Sequence, residues 1–465
     1  MKINTGFIFF FGAMGGLLFG FDTGIISGAS PLIEKSTDLG GLGLNEWQTG
    51  FIVSAVLIGS AIGALSVGSL SDKFGRKPLL IIAAVLFIVG ALFCAIAPNF
   101  LLLVLARIIL GLAVGGASAL TPAYLAELAP AAKRGSLGTL FQLMITLGIL
   151  LAYVGNLGFL GHNIAGIQDW RWMLGCALIP AVVLFLGSLL LPESPRFLIA
   201  NGKAEQGKAV LNHLRANTGE NVAAELADIE ATASQPKGGV AELLKIASPA
   251  VIVAVGIMFL QQLVGINSVI YFLPQVFIKG FGFAEDQAIW ISIGIGIVNF
   301  AVTTTAIFIM DKFDRKKLFT FGSIVMALSL GILTLLNFTV PVEQAAVPTI
   351  ILIAVYIFGF ALTWGPMAWV LIGEIFPLSV RGVGASIGSA ANWIGNFIVS
   401  QFFLILLAAF GNNVGGPFGI FAIFSVLSIF FVKYLVPETR GKSLEEIESE
   451  LRAHTAKQPE GYGST

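Results

Sequence analysis

Asp72-Lys73-Phe74-Gly75-Arg76-Lys77 and Asp311-Lys312-Phe313-Asp314-Arg315-Lys316 are one motif written twice, with Asp72 and Asp311 lying 239 residues apart. Two further landmarks repeat at nearly that spacing. Glu127 with Arg134-Gly135 returns as Glu374 with Arg381-Gly382, the glycines 247 apart, and Pro192-Glu193-Ser194 returns as Pro437-Glu438-Thr439 at an offset of 245. Three landmarks in one order predict two halves of one design in the same orientation. Halves so related place a binding site at their interface near the middle of a membrane, and they move against each other to expose it to either side in turn.

The residues between the landmarks show what each half is made of. Of the 465 residues, 56% are hydrophobic and only 11% charged, which excludes a soluble chain of one or two ordinary domains. A helix of about 20 residues crosses roughly 30 Å of hydrocarbon. Twelve runs of that length fall near 6–28, 48–70, 78–97, 100–121, 136–160, 171–190, 249–273, 287–310, 318–339, 347–372, 383–409 and 417–436. The expected fold class is an all-α membrane protein of twelve transmembrane helices. It divides into a six-helix half over 1–190, a linker over 191–248, a second six-helix half over 249–436 and a tail over 437–465. In the linker Val210, Leu211 and Leu214, then Leu226 and Ile229, recur at helical spacing among charged neighbours, which predicts short amphipathic helices. The first run is longer than a usual signal-peptide apolar region and is expected to be a retained helix. After Leu451 the tail is small and polar and reads as disordered.

Lys and Arg collect in cytoplasmic loops, so their distribution orients the chain. Of 26, Lys35, Arg171 and Lys279 fall in spacers assigned outside and Arg107 lies in the membrane, leaving 22 on the other face. Both termini are therefore expected in the cytoplasm of a multi-pass protein of the inner or plasma membrane. The net charge of zero hides this asymmetry and gives no sign of a nucleic-acid partner. Cys94 and Cys176 stand singly in the third and sixth runs, so neither a disulfide nor a metal site is expected. His162, His213 and His454 lie outside the runs, which excludes an intramembrane histidine relay.

Asp22 is the one acidic residue near mid-depth of any run, and a lone carboxylate in hydrocarbon costs several kcal/mol unless it is paired, protonated or wet. Arg107 is the one basic residue at comparable depth. Asp22 lies 6 residues from the outer end of the first run and Arg107 lies 7 from that of the fourth. At 1.5 Å per residue both sit about 10 Å below the outer edge. A carboxylate that can exchange a guanidinium for a proton suits a proton-driven carrier, whereas a static ion pair would only fix two helices together. The repeated landmarks also carry acids and cations at the cytoplasmic helix ends: Asp72, Arg76, Glu127, Arg134, Glu193 and Arg196 in the first half, Asp311, Arg315, Glu374, Arg381, Glu438 and Arg440 in the second. Such groups can form bidentate pairs that close in one conformation and open in another, a cytoplasmic gate. Ordinary anchoring explains the cations but not the repeated order.

Taken together these residues resemble the sugar porters of the major facilitator superfamily, in particular the bacterial proton-coupled hexose and pentose symporters. The resemblance runs from Gly15-Gly16-Leu17-Leu18-Phe19-Gly20-Phe21-Asp22 to Pro437-Glu438-Thr439-Arg440-Gly441. It passes through Gly68–Lys77, Pro192-Glu193-Ser194-Pro195-Arg196 and Gln261-Gln262-Leu263-Val264-Gly265-Ile266-Asn267. It implies a monosaccharide site formed by Gln142, Gln261, Gln262, Asn267, Asn299, Trp369 and Asn392, flanked by the aromatic residues Phe19 and Trp393. Apart from the family, amides suit hydroxyl-rich ligands because each both donates and accepts, and Trp offers a face to C–H surface. The alternative role of such amides is interhelical bonding, worth about 0.6 kcal/mol each in membranes.

Gly265 and Gly365-Pro366 interrupt helices beside these residues and read as gating bends, since broken backbone is tolerated at membrane depth where it borders protein or a wet cavity. Asp314 departs from the Gly of the idealised motif, which leaves open whether the second copy bends like the first. With no second acid at Asp22's depth, coupling is expected to rest on one proton site. The resemblance thus implies a sugar:proton symporter working by alternating access, by superfamily default a monomer, with an uncoupled facilitator or a membrane sugar sensor as alternatives. No cofactor and no enzymatic activity are expected, because no phosphate-cradling loop, nucleophile–base pair or metal constellation is visible.

Overall fold

The computed structural model describes residues 5–130, 134–216, 222–233, 239–310, 312–377, 380–440 and 442, and among these the regular structure is entirely helical. Five crossings come first: α1 (Thr5–Glu34), α2 (Glu46–Phe74), α3 (Arg76–Ile96), α4 (Phe100–Leu128) and α5 (Arg134–Phe159). The sixth, expected as one helix, is two: α6 (Asp169–Cys176) and α7 (Leu178–Leu190) meet at Ala177. Pro180, which has no N–H to give back to Cys176, accounts for the break. Three short helices follow, α8 (Pro195–Ala200), α9 (Ala204–Arg215) and α10 (Val222–Ala233).

The seventh crossing is α11 (Val240–Leu263) and α12 (Ile266–Phe281), then come α13 (Glu285–Ile309) and α14 (Arg315–Thr339). The tenth is α15 (Val342–Gly359), a π turn over Phe360–Trp364, and α16 (Gly365–Glu374); α17 (Arg381–Ala409) and α18 (Gly415–Leu435) complete the set. Twelve of these stretches are long and apolar enough to cross a membrane. The seventh starts inside the segment assigned to the linker, changing direction at Ala247 (φ −136°, ψ 29°) just before Pro249.

Local chemistry sets several ends. Asn45 opens α2 with a reciprocal capping box to Gln48, and Asn99 opens α4 by accepting from the Leu102 N–H. The helices then pack in two groups, α1–α7 and α11–α18. Within the first, Gly12, Gly16, Gly20, Gly24 and Gly28 recur every fourth residue on α1. The last four bring its backbone against Phe141, Ile145, Ile149, Ala152 and Asn156 of α5. A Cβ at Gly20 would lie 1.8 Å from the Ile145 carbonyl oxygen. In lipid, where burial gives little net drive, such close backbone packing is what holds helices together.

The short helices fasten to the first group. Leu211 and Leu214 are buried, and Arg215 donates from Nη1 to the Leu128 carbonyl (2.8 Å) and from Nη2 to that of Ala129 (3.0 Å), closing the carbonyl end of α4. We call the end of the bundle that bears α8–α10 the linker face, and the other the opposite face.

Gly20→Ala should lower the thermal midpoint of purified protein, at an overpacking cost of about 1–3 kcal/mol. Gly158→Ala, where an added Cβ meets nothing within 4 Å, should leave it unchanged. Equal midpoints for both would show that the α1–α5 contact is not close-packed.

Candidate functional site

Gly15 packs on Ala117 and Thr121 of α4, and Asp22, seven residues or two turns later, falls on that same side of α1. There Asp22 Oδ1 accepts a short hydrogen bond from Arg107 Nη1, with Asp22 3% and Arg107 0% exposed. Arg107 Nε donates to the Ile52 carbonyl of α2 at 3.3 Å, and its Nη2 has no hydrogen-bond partner among the described residues. The equal-depth estimate needs correction. α1 continues to Glu34, so Asp22 is 12 residues from its end while Arg107 is 7 from the start of α4. The two meet because α1 overhangs α4 on the opposite face. A protonated Asp22 would leave Arg107 a buried cation with the Ile52 carbonyl as its remaining partner, an arrangement that costs several kcal/mol unless the arginine moves.

One turn before Asp22, the Phe19 ring lies 5.6 Å from that of Trp393, between centroids, across the two groups. Trp393 is buried with its Nε1 unpartnered. Its neighbour Asn392 donates to Gln261 Oε1 at 2.7 Å, and Gln261 Nε2 donates to the carbonyls of Trp364 (2.8 Å) and Gly365 (3.3 Å). Asn267 donates to Gln262 Oε1 at 2.8 Å, across the left-handed Gly265 (φ +92°) that separates α11 from α12. Four of the expected amides thus form one network. The side-chain amides of Asn299 and the half-buried Gln142 make no hydrogen bond among the described residues. Trp369, on α16, stands apart from this network and is 39% exposed. The tryptophan locked into the core is Trp364, whose Nε1 donates to the Phe319 carbonyl (3.1 Å) and Ser323 Oγ (2.9 Å).

The landmarks on the linker face repeat bond for bond. Arg76 donates to the Ser71 carbonyl (2.8 Å) and Glu127 (2.9 Å); Arg315 donates to the Met310 carbonyl (2.5 Å) and Glu374 (3.2 Å). Glu193 accepts from the backbone N–H groups of Arg76 (2.9 Å) and Lys77 (3.3 Å), and Glu438 from those of Arg315 and Lys316 (3.0 Å each), a carboxylate at a helix start in both halves. The backbone before each helix differs. Gly75 has φ +96°, and a Cβ there would fall 2.3 Å from Glu193 Oε2, whereas Asp314 has φ −61°. The second copy therefore reaches the same cap by another route. Asp314 itself bonds Lys317 at 2.6 Å, which holds its carboxyl below its ordinary value.

Three expectations change here. Arg76 divides itself among Glu127, Asp72 (3.5 Å) and a carbonyl instead of forming one bidentate pair. Arg381 donates to the Phe376 carbonyl (3.3 Å), and Arg440 to Asp314 (3.5 Å). Each of these acid–base pairs closes within one half. Arg196 is half-buried on α8, while Asp311 and the Arg134 side chain lie outside the described residues.

Bonds between the halves belong to the opposite face. Glu34 at the end of α1 accepts from Lys279 (2.5 Å) and Gln275 (2.8 Å) of α12, Lys35 pairs with Glu285 (2.5 Å), Ser54 donates to Gln401 (2.7 Å), and Tyr153 donates to the Ile270 carbonyl (3.0 Å). On the linker face no hydrogen bond or ion pair crosses between halves among the described residues. Among the described residues, the hydrogen bonds and ion pairs that join the halves lie on the opposite face. Sequence reading used Lys35 and Lys279 to orient the chain and did not pair them. Glu34, one residue from Lys35, was the available signal.

Residues 8–451 match the model of the family "Sugar (and other) transporter". The chain belongs to that family. A D-xylose transporter of Levilactobacillus brevis is 48% identical, covering 98% of this chain and 97% of its own, and a galactose-proton symporter of Escherichia coli is 40% identical, covering 97% and 95%. The inward-open structure of the xylose transporter XylE from Escherichia coli matches with a TM-score of 0.81 at 32% identity, covering 96% of this chain and 100% of that one. This sugar transporter family member therefore has the major facilitator fold of two six-helix halves.

If the Glu34 contacts hold the opposite face shut, Glu34→Gln should favour the state open on that face by about fivefold, the effect of about 1 kcal/mol for a partly buried pair. Alkylation of a cysteine placed at Ser54 should speed up accordingly. An unchanged rate would make the pair incidental to closure.

Proposed function

We propose that this protein imports a monosaccharide together with a proton, with the linker face in the cytoplasm of a cell-membrane carrier. The observation that carries the reading is the buried Asp22–Arg107 pair one turn from the Phe19–Trp393 contact. The pair lies one turn from the contact to Trp393, whose neighbour Asn392 belongs to the amide network that, with Gln142 and Asn299, would hold a sugar. Relatives named for xylose transport and galactose–proton symport support the substrate class and the coupling ion.

The cycle follows from what each group can satisfy. With the opposite face open, a proton reaching Asp22 cancels its charge and frees Arg107, still donating to the Ile52 carbonyl, to seek new partners. Helix α1 is then no longer held to α4 by an ion pair, and sugar bridging the amides of the second half to Phe19 and Gln142 of the first draws the halves together. Closure forms the Glu34, Lys35 and Gln401 contacts and parts the linker face. Loss of the proton to the cytoplasm restores the Asp22–Arg107 pair, the state described above. The braces Arg76–Glu127–Glu193 and Arg315–Glu374–Glu438 keep each half rigid at the face that parts, and Trp369 provides an apolar surface on the cytoplasmic side of the sugar.

Asp22→Asn in proteoliposomes should abolish accumulation of sugar under an imposed pH gradient while equilibrative exchange persists. Concentrative uptake by this variant would place the proton site elsewhere.

Gln142→Ala and Asn299→Ala should each weaken sugar affinity by about two- to twelvefold, the loss of one neutral hydrogen bond, without changing the thermal midpoint of the sugar-free protein. Unaltered affinity in both, by calorimetry, would move the sugar off this interface.

A further inference from the structure

The seventh and tenth crossings are both interrupted, and each is bonded to the other at its interruption. At the end of α11 the Val264 carbonyl is left out of the helix, because Gly265 turns left-handed and α12 restarts at Ile266. Val264 is fully buried, and its carbonyl accepts from the Tyr356 hydroxyl of α15 at 2.9 Å. Three residues back along α11, Gln261 Nε2 donates to the Trp364 carbonyl at 2.8 Å, where the π turn ends and α16 begins. Tyr356 and Trp364 are both 0% exposed, Tyr356 one turn before the π turn Phe360–Trp364 and Trp364 at its end. One short piece of α11 thus holds both ends of the stretch that contains the tenth crossing's irregular turn.

A π turn carries one residue more than the α turn it replaces, and such turns gather at functional sites. Relaxing it to α geometry would rotate and lengthen the stretch from 356 to 364. Both bonds to α11 cannot survive that change. The two anchors differ in what could release them. The Tyr356 hydroxyl is sealed in protein, whereas Gln261 also accepts from Asn392 (2.7 Å) and lies in the amide network proposed to meet the sugar.

We propose that Tyr356 is a positioning residue, the fixed anchor of a two-point clamp across the π turn whose second anchor, Gln261, is released when sugar engages its amide. The bends of the seventh and tenth crossings then move as one unit. The inference rests on the sugar-carrier reading, since sugar is the trigger.

The test is hydrogen–deuterium exchange on the full-length protein in lipid nanodiscs. Peptides spanning 258–268 and 358–368 are followed while D-xylose, D-galactose and D-glucose are titrated, with binding measured in parallel by calorimetry. In the unaltered protein a sugar that binds should change exchange in both stretches with one half-saturating concentration. Tyr356→Phe keeps the ring, so only the bond to the Val264 carbonyl is lost. Sugar should still bind, but the two stretches should respond at different concentrations, and turnover should fall by about fivefold or more with KM changed less than turnover.

A purely structural tyrosine would lower the thermal midpoint and leave both responses coincident with turnover unchanged, which overturns the proposal. Should Tyr356→Phe fail to fold, separate responses in the unaltered protein overturn it as well. Binding of none of the three sugars overturns the carrier reading and the clamp's trigger together, a result distinct from sugar binding with uncoupled bends.

Discussion

The constraint on which the rest depends is a pair of opposite charges sealed inside helices. Asp22 and Arg107 are each almost without contact with solvent, and each makes the other tolerable there. Removing either charge leaves the partner stranded. A proton is the smallest agent that can remove one and give it back. The glycine stripe that brings α1 against α5 fixes the rotation of α1 and turns Asp22 to α4, so helix packing and ion chemistry are set by the same twenty-odd residues. Phe19 lies on that helix one turn away, which places a contact to the second half beside the charge.

Around this centre the molecule is stiff within each half and adjustable between them. Arg76 and Arg315, a repeat unit apart, close the same three bonds to a carbonyl, an acid and a capped helix start, although Gly75 and Asp314 take different backbone angles to reach them. Bonds of this kind brace a half against bending. The contacts between halves include two lysine–glutamate pairs at the opposite face. Exposed or half-exposed pairs of that sort are individually weak, which suits a surface that must part and reseal repeatedly.

Much of this was legible in the sequence because membranes restrict what can be built. Twelve apolar runs, a repeated acid–Gly–Arg order and a lone intramembrane carboxylate leave little choice of architecture, and the Asp22–Arg107 partnership follows from there being one candidate of each sign. Asp22 and Arg107 do meet, although α1 runs on from Ala29 to Glu34 beyond the end read from the sequence, through Pro31, a residue that ordinarily marks a helix boundary. The amides were named from their resemblance to a family, but their bonding was not visible. Gln261 is occupied by the Trp364 carbonyl and Asn392, and that depends on a π turn which no periodicity announces. Tyr356 and Trp364 read as ordinary apolar core. Glu34 and Lys279 lie 245 residues apart on helices that meet only once the halves are assembled, so neither could be paired from one chain read end to end.

The account stands on the claim that proton and sugar cross together. Proteoliposomes holding the purified protein, with a pH electrode in a weakly buffered external medium and no imposed gradient, test it directly. Adding a transported sugar outside should make the medium more alkaline, with protons lost from it in fixed proportion to sugar taken up, and a protonophore should abolish the signal. Sugar entry with no change in external pH would show that the Asp22–Arg107 pair is a fixed structural bond and that this carrier is uncoupled.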